Sequence, residues 1–78
     1  MNVKLYISVN CPLCHSISVW LKKQNITFTS YDIDKNAEAK VEMIEKSKQE
    51  TVPVLTVDDK IMIGLDGDIL RDMFKSTQ

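Results

Sequence analysis

Apolar residues recur along this chain with two different spacings, which predict strands and helices in alternation. Residues 3–9 form an apolar run rich in β-branched and aromatic side chains, which predicts a strand in the centre of a sheet. Residues 13–24 carry apolar side chains at i, i+4, i+7 and i+8, the spacing of one helical face. The buried stripe of this helix is expected to be Leu13, Ile17, Trp20 and Leu21.

The ends of this helix carry signals of their own. Pro12 suits the first helical position, because the N–H that proline lacks has no partner there. Asn25 suits the position after the last turn, because it tolerates the left-handed backbone conformation. The following run, 26–33, predicts a second strand, parallel to the first through a right-handed crossover.

The second half of the chain predicts a helix, a hairpin and another helix. Residues 37–48 read as a helix capped by Asp34 or Asn36, with a mixed-charge outer face. Two short apolar runs, 54–57 and 60–63, are separated by a turn-compatible Asp pair and predict a hairpin. Asp66 is the expected cap of the last helix, and residues 76–78 are expected to fray. The expected buried faces are Ala37, Val41 and Ile44 on the first of these helices, and Ile69, Leu70, Met73 and Phe74 on the second.

The element order is therefore β-α-β-α-β-β-α. We predict an α/β fold in which a hairpin extends a parallel pair into a four-stranded mixed sheet, with three helices on its faces. Seventy-eight residues allow one domain, 1–78, and no second one.

Charge and hydropathy exclude several classes of protein. Ten basic and eleven acidic side chains give a formal charge of −1, which favours neither nucleic acid nor an anionic membrane as partner. No apolar run approaches the roughly 18 residues of a membrane span. The chain also shows no basic region followed by an apolar core and a cleavage site. We expect a cytoplasmic monomer.

Both cysteines and the single histidine lie at the junction of the first strand and first helix. Cys11 would cap the helix, where free N–H groups and the helix dipole lower the pKa of a thiol below its free value of about 8.5. Cys14 lies one turn further on, less exposed, and can reach back to Cys11. This arrangement predicts dithiol–disulfide exchange, in which Cys11 attacks a substrate disulfide and Cys14 resolves the mixed disulfide. His15 is expected on the helix surface.

Other interpretations of the motif have less support. Two ordinary buried cysteines would not need this strand–helix context. A structural zinc site wants four ligands, and Cys11, Cys14 and His15 supply three at most, so no metal is expected. The same residues match Cys-x-x-Cys-His, the c-type haem attachment pattern, but attachment implies export and no clear distal ligand is present.

Three motifs together resemble the glutaredoxins and the glutaredoxin-like redoxins that donate electrons to ribonucleotide reductase. They are Cys11-Pro12-Leu13-Cys14, then Thr51-Val52-Pro53, and then Gly64-Leu65-Asp66 before the last helix. The resemblance covers essentially the whole chain and implies the thioredoxin-like fold. It implies a cis Val52–Pro53 bond, with the Val52 backbone free to pair with a substrate. By this resemblance the substrate-binding residues are Pro12, Leu13, Thr51, Val52, Pro53, Gly64, Leu65 and Asp66.

The chain departs from the glutaredoxin pattern where glutathione would be bound. Ser8 stands where a basic residue is expected, Glu50 directly precedes Thr51, and Leu65 replaces a glycine. We therefore expect disulfide-containing protein substrates, and a reductant that is either glutathione or a thioredoxin-reductase-type flavoenzyme. No bound cofactor is expected, and the reduction potential should lie at roughly −200 to −270 mV. Two alternatives stay open: an electron donor for ribonucleotide reductase, and an iron–sulfur carrier or binding module.

Overall fold

The computed structural model describes residues 2–75, which contain seven elements in the predicted order. The strands are β1 (Val3–Ile7), β2 (Thr29–Asp32), β3 (Val54–Val57) and β4 (Lys60–Ile63). The helices are α1 (Pro12–Lys23), α2 (Ala37–Ser47) and α3 (Gly67–Lys75). The predicted fraying of 76–78 lies outside the described residues.

The strands form one mixed sheet in the order β2-β1-β3-β4. β1 pairs in parallel with β2, where Leu5 lies opposite Ser30, and antiparallel with β3, where Tyr6 lies opposite Val54. β3 and β4 form the antiparallel hairpin. The predictions of a central first strand, a parallel pair and a hairpin are confirmed. The carboxyl ends of β1 and β4 and the beginning of β3 consequently meet at one end of the sheet.

Two strands are shorter than predicted. β1 ends at Ile7 and not at residue 9, and β2 begins at Thr29 and not at residue 26. The second difference has a clear cause, because the amide of Ile26 donates to the carbonyl of Leu21 across 3.0 Å and so belongs to the closing turn of α1. Ile26 and Phe28 then pack against the core from this connection.

Apolar side chains form two clusters, one on each face of the sheet. The larger cluster lies between the sheet, α1 and α3, and includes Leu5, Ile17 and Met62, which are all at most 1% exposed. The smaller lies under α2 and includes Tyr6 and Met43, both fully buried. Within residues 2–75, no helix is long and apolar enough to cross a bilayer.

The prediction of which face of α2 is buried is wrong, because the helix is rotated relative to the predicted orientation. Ala39, Met43 and Ser47 are buried, whereas Ala37 is exposed, Ile44 is half-buried and Val41 is 56% exposed. Ser47 can occupy this face because its hydroxyl donates to the Met43 carbonyl across 2.7 Å, which satisfies the buried polar group.

Two further residues predicted as buried are exposed. Leu13 is 48% exposed and Ile69 is 44% exposed. In α1 the buried positions are Cys14, Ile17 and Leu21, so that Cys14 occupies the place expected for Leu13.

The predicted helix ends are confirmed. Asn36 caps α2, with its side-chain oxygen accepting from the Ala39 amide at 3.0 Å. Asp66 accepts from the amides of Asp68 and Ile69 at 3.0 and 3.3 Å at the start of α3. Asn25 follows α1 with a φ of 57°, the left-handed conformation expected there.

Candidate active site

Cys11 is the cap of α1, as predicted. Its backbone is extended, with φ −132° and ψ 91°, and Pro12 follows at the beginning of the helix. The Cys11 sulfur accepts a hydrogen bond from the Cys14 amide at 3.1 Å. The first turn of α1 therefore directs an N–H group and the positive end of its dipole at this sulfur.

Cys11 and Cys14 form a disulfide, with their Cα atoms 5.2 Å apart. The two residues differ in exposure, since Cys11 is half-buried and Cys14 is 3% exposed. An external reagent therefore reaches Cys11 first. Cys14 lies behind it, where its sulfur is placed to attack the Cys11 sulfur once Cys11 carries a substrate.

The Thr51–Pro53 loop reaches the same end of the sheet as the cysteines. Because Val54 lies opposite Tyr6 in the antiparallel pair, Pro53 precedes β3 where β1 leads towards Cys11. The Val52–Pro53 peptide bond is cis. Pro53 itself is buried, Val52 is half-buried and Thr51 is exposed, with its hydroxyl 3.1 Å from the Gln49 side-chain oxygen.

The turn before α3 is fixed to this loop. The Gly64 amide donates to the Pro53 carbonyl across 2.9 Å, and Gly64 has a φ of +74°, a conformation that glycine adopts without strain. Leu65 follows with 40% exposure. The amides at the start of α3 are already bound by the Asp66 carboxylate, so this helix end offers little to an anion.

Asp34 lies beside the site through a contact that the sequence did not predict. The Ser8 hydroxyl donates to the Asp34 carboxylate across 2.6 Å. The residues are 26 positions apart, and Asp34 was considered only as a helix cap. Ser8, which departs from the expected basic residue, is thus linked to an acid.

A cavity of about 510 Å³ was also missed. Cys11 and Cys14 line one end of it, and it continues between α1 and β2, so we call it the α1–β2 cavity. His15 is exposed on the helix surface, as predicted, and lines this cavity together with Lys22.

An electrostatic network lies on the other face of the sheet. The buried Tyr6 hydroxyl donates to Glu42, and the Lys4 ammonium lies 3.1 Å from the same carboxylate. The hydrogen bonds from Tyr6 and Lys4 lower the pKa of Glu42 to about 2. Burial, followed by the contact with Glu42, raises the pKa of the Tyr6 phenol well above its usual range. This network joins β1 to α2 and takes no part in the cysteine chemistry.

In a thiol–disulfide oxidoreductase, an accessible cysteine reacts with the substrate and a buried cysteine then restores the disulfide. The Cys11–Cys14 pair has this arrangement. Among residues 2–75 no group of three or more metal-ligating side chains suggests a different centre. The family model named Glutaredoxin matches residues 3–62, and this chain belongs to the glutaredoxin family.

Known proteins share the sequence or the fold of this chain. Glutaredoxin 3 of Escherichia coli is 35% identical over 65 residues, which cover 83% of this chain and 78% of that protein. The glutaredoxin of Archaeoglobus fulgidus has the same fold, with a TM-score of 0.86 at 24% identity over 95% of this chain and 86% of that one. NrdH-redoxin of E. coli also has it, with a TM-score of 0.76 at 22% identity over 91% and 93% of the two chains.

Proposed function

We propose that this enzyme reduces disulfides of proteins and small molecules, with Cys11 as the nucleophile and Cys14 as the resolving thiol. The Cys11 thiolate attacks a substrate sulfur, forms a mixed disulfide and expels the first substrate thiolate, which takes up a proton. The Cys14 thiolate then attacks the Cys11 sulfur and releases the second thiolate. The substrate gains two electrons, and the enzyme ends as the Cys11–Cys14 disulfide.

The observation that carries this assignment is the asymmetry of the pair. Cys11 is the more exposed of the two, and its sulfur accepts a hydrogen bond from the Cys14 amide. Cys14 is only 3% exposed. A thiolate at Cys11 is stabilised by that N–H and by the helix dipole. The Cys14 thiol cannot reach an external disulfide, and it reacts only after Cys11 has formed a mixed disulfide with the substrate.

We propose that substrates lie across the loop and turn beside the disulfide. The Val52 backbone would pair with an extended substrate strand, while Leu13 and Leu65 supply exposed apolar contacts on either side. The full set of proposed substrate-binding residues is Pro12, Leu13, Thr51, Val52, Pro53, Gly64, Leu65 and Asp66.

The reductant is proposed to be a thioredoxin-reductase-type flavoenzyme, with glutathione a weaker donor. Ser8 is bonded to Asp34, Glu50 is an exposed acid beside Thr51, and Asp66 occupies the amides of α3. These features place acids around the disulfide and disfavour the carboxylates of glutathione there. We further propose a single-domain monomer without a bound cofactor that works in the cytoplasm.

A second candidate is electron donation to ribonucleotide reductase. The E. coli redoxin that shares this fold is described as a glutaredoxin-like protein with a thioredoxin-like activity profile. The departures from the glutaredoxin pattern at Ser8, Glu50 and Leu65 favour a thioredoxin-like activity profile in this chain as well.

Parallel turnover assays test these proposals. Reduction of insulin disulfides is followed with thioredoxin reductase and NADPH, or with glutathione, glutathione reductase and NADPH. We expect faster turnover with thioredoxin reductase, and faster turnover with glutathione would refute the choice of reductant. A brown, iron-containing protein after anaerobic purification, without dithiol activity, would instead support the iron–sulfur carrier.

A further inference from the structure

His15 lies close to both cysteines along the first turn of α1. It directly follows Cys14, and its amide donates to the Cys11 carbonyl across 3.3 Å. Residues four positions apart in a helix lie on the same side of it, and this bond brings residue 15 round to the side of the cap. The His15 side chain is exposed, and among residues 2–75 it takes part in no ion pair. Its imidazole is therefore available to neighbouring groups.

Two hollows beside the disulfide share Cys11 and His15 in their linings. One is the α1–β2 cavity, which both cysteines line. The other is an open groove of about 470 Å³, which we call the Cys11 groove. Its lining residues are Val9, Asn10, Cys11, Pro12 and His15, without Cys14. The imidazole thus borders a space that contains both sulfurs and a space that contains the Cys11 sulfur alone.

The second step of the proposed reaction moves a proton as well as a sulfur–sulfur bond. The Cys14 thiol must lose its proton to attack the Cys11 sulfur, and an aliphatic thiolate that departs gains one at neutral pH. Displacement at a disulfide sulfur is in line, so the substrate sulfur departs from the side of the Cys11 sulfur opposite Cys14. A groove that contacts Cys11 and not Cys14 suits this departing sulfur.

The charged groups around the two hollows favour His15 for this proton transfer. Among the described residues, the ionisable side chains other than the cysteines that line either hollow are His15 and Lys22. An ammonium group keeps its proton at neutral pH, whereas histidines gain and lose one between about pH 5 and 8. Glu50 lines neither hollow, and Asp34 accepts the hydroxyl of Ser8.

We propose that His15 is a catalytic residue of the second step, which takes the proton of the Cys14 thiol and passes it to the departing substrate thiolate. The Cys14 S–H bond and the bond from Cys11 to the substrate sulfur break, while the Cys11–Cys14 bond and the substrate S–H bond form. The substrate sulfur is reduced, Cys14 is oxidised, and His15 ends as it began. This inference rests on the proposed function, because it needs the mixed disulfide on Cys11.

Two uncharged disulfides that differ in their leaving groups test the proposal. Bis(2-hydroxyethyl) disulfide releases an aliphatic thiolate that needs a proton, whereas 4,4′-dithiodipyridine releases 4-thiopyridine, which is stable without a proton on sulfur. Pre-reduced enzyme, freed of reductant, is mixed with excess probe at neutral pH and quenched with acid at successive times. At high probe concentration the first step outruns the second, so mass spectrometry follows the decay of the mixed disulfide. The enzyme dithiol supplies both electrons.

The expected result is a loss that depends on the leaving group. His15→Gln should slow the second step about 10- to 100-fold with the aliphatic probe, at and below the lower end of the usual range for a positioned acid or base, because the side chain is exposed. The second step with 4,4′-dithiodipyridine should be much less affected, since its leaving group has a low pKa. Added imidazole should restore part of the rate in His15→Ala.

Lys22→Gln is the matched control, because it removes a positive charge from the α1–β2 cavity and leaves the Cys11 groove intact. It should leave the second step with both probes nearly unchanged. Equal slowing of both probes in His15→Gln, an unchanged second step, or no acceleration of His15→Ala by imidazole would overturn the role of His15 and leave the proposed function intact. Failure of wild-type Cys11 to form any mixed disulfide would refute the proposed function, and the role of His15 with it.

Discussion

The amide nitrogen of Cys14 lies 3.1 Å from the sulfur of Cys11 and donates a hydrogen bond to it. This contact exists because Cys11 caps α1 and because α1 brings residue 14 back over residue 11 after one turn. When the disulfide is opened, the same N–H is placed to stabilise a thiolate on Cys11. The chemistry of the pair therefore follows from where the helix begins.

The reduced enzyme should be alkylated by iodoacetamide at Cys11 with a pH midpoint well below about 8.5, the value of a free thiol. Cys14 should react much more slowly, because its side chain is 3% exposed. Mass spectrometry of peptides after timed alkylation from pH 4 to pH 9 measures both rates. A Cys11 midpoint near 8.5 would count against the helix-terminus argument.

Leu13→Ser should weaken substrate binding while leaving the protein folded. Leu13 is 48% exposed, so loss of its covered half should lower the free energy of unfolding by about 1 kcal/mol. The KM for insulin disulfides should rise about fivefold, since the exposed half of a leucine contributes on the order of 1 kcal/mol when covered. Val41→Ser on α2 removes a similarly exposed side chain and serves as the control. Similar KM changes in both variants would contradict a role for Leu13.

Glu42→Gln should lower stability in a pH-dependent way. The pKa of Glu42 in the folded protein is about 2, below its ordinary 4.5, so the carboxylate stabilises the fold above pH 4.5 and this contribution is lost as the pH falls towards 2. With the side chain 40% exposed, solvent screening limits the effect to about 1 kcal/mol at pH 7. Urea unfolding of both proteins at pH 7, 4 and 3 measures it. Glu45→Gln, an exposed acid of the same helix, should show little difference, and a pH-independent effect of Glu42→Gln would contradict the assignment.

The buried face of α2 predicts a contrast between two neighbouring positions. Met43→Ala should lower the free energy of unfolding by about 2–4 kcal/mol, because Met43 is fully buried. Val41→Ala should change it by less than about 0.5 kcal/mol, because Val41 is 56% exposed. Urea denaturation compares the two directly. Equal losses would show that α2 is rotated relative to the arrangement described.

Local patterns predicted what local interactions determine. The strand and helix order, the caps at Asn36 and Asp66 and the position of Cys11 all follow from side chains within a few residues of one another. The rotation of α2 did not follow, because it is set by the packing of Met43 with Tyr6 and Val54, which are distant in the chain.

Contacts between distant parts of the chain could not be predicted from the sequence. Ser8 and Asp34 are 26 positions apart, and Tyr6 and Glu42 are 36 apart. The α1–β2 cavity depends on the sheet order, which leaves β2 at an edge beside α1.

Trapping of the mixed disulfide tests the central claim most directly. Reduced Cys14→Ser and Cys11→Ser variants are each incubated with a disulfide-containing protein such as insulin, and the products are resolved by non-reducing electrophoresis and mass spectrometry. The account predicts a stable adduct through Cys11 in Cys14→Ser and essentially none in Cys11→Ser. An adduct of equal yield through Cys14 in the Cys11→Ser variant, with disulfide reductase activity retained, would contradict it.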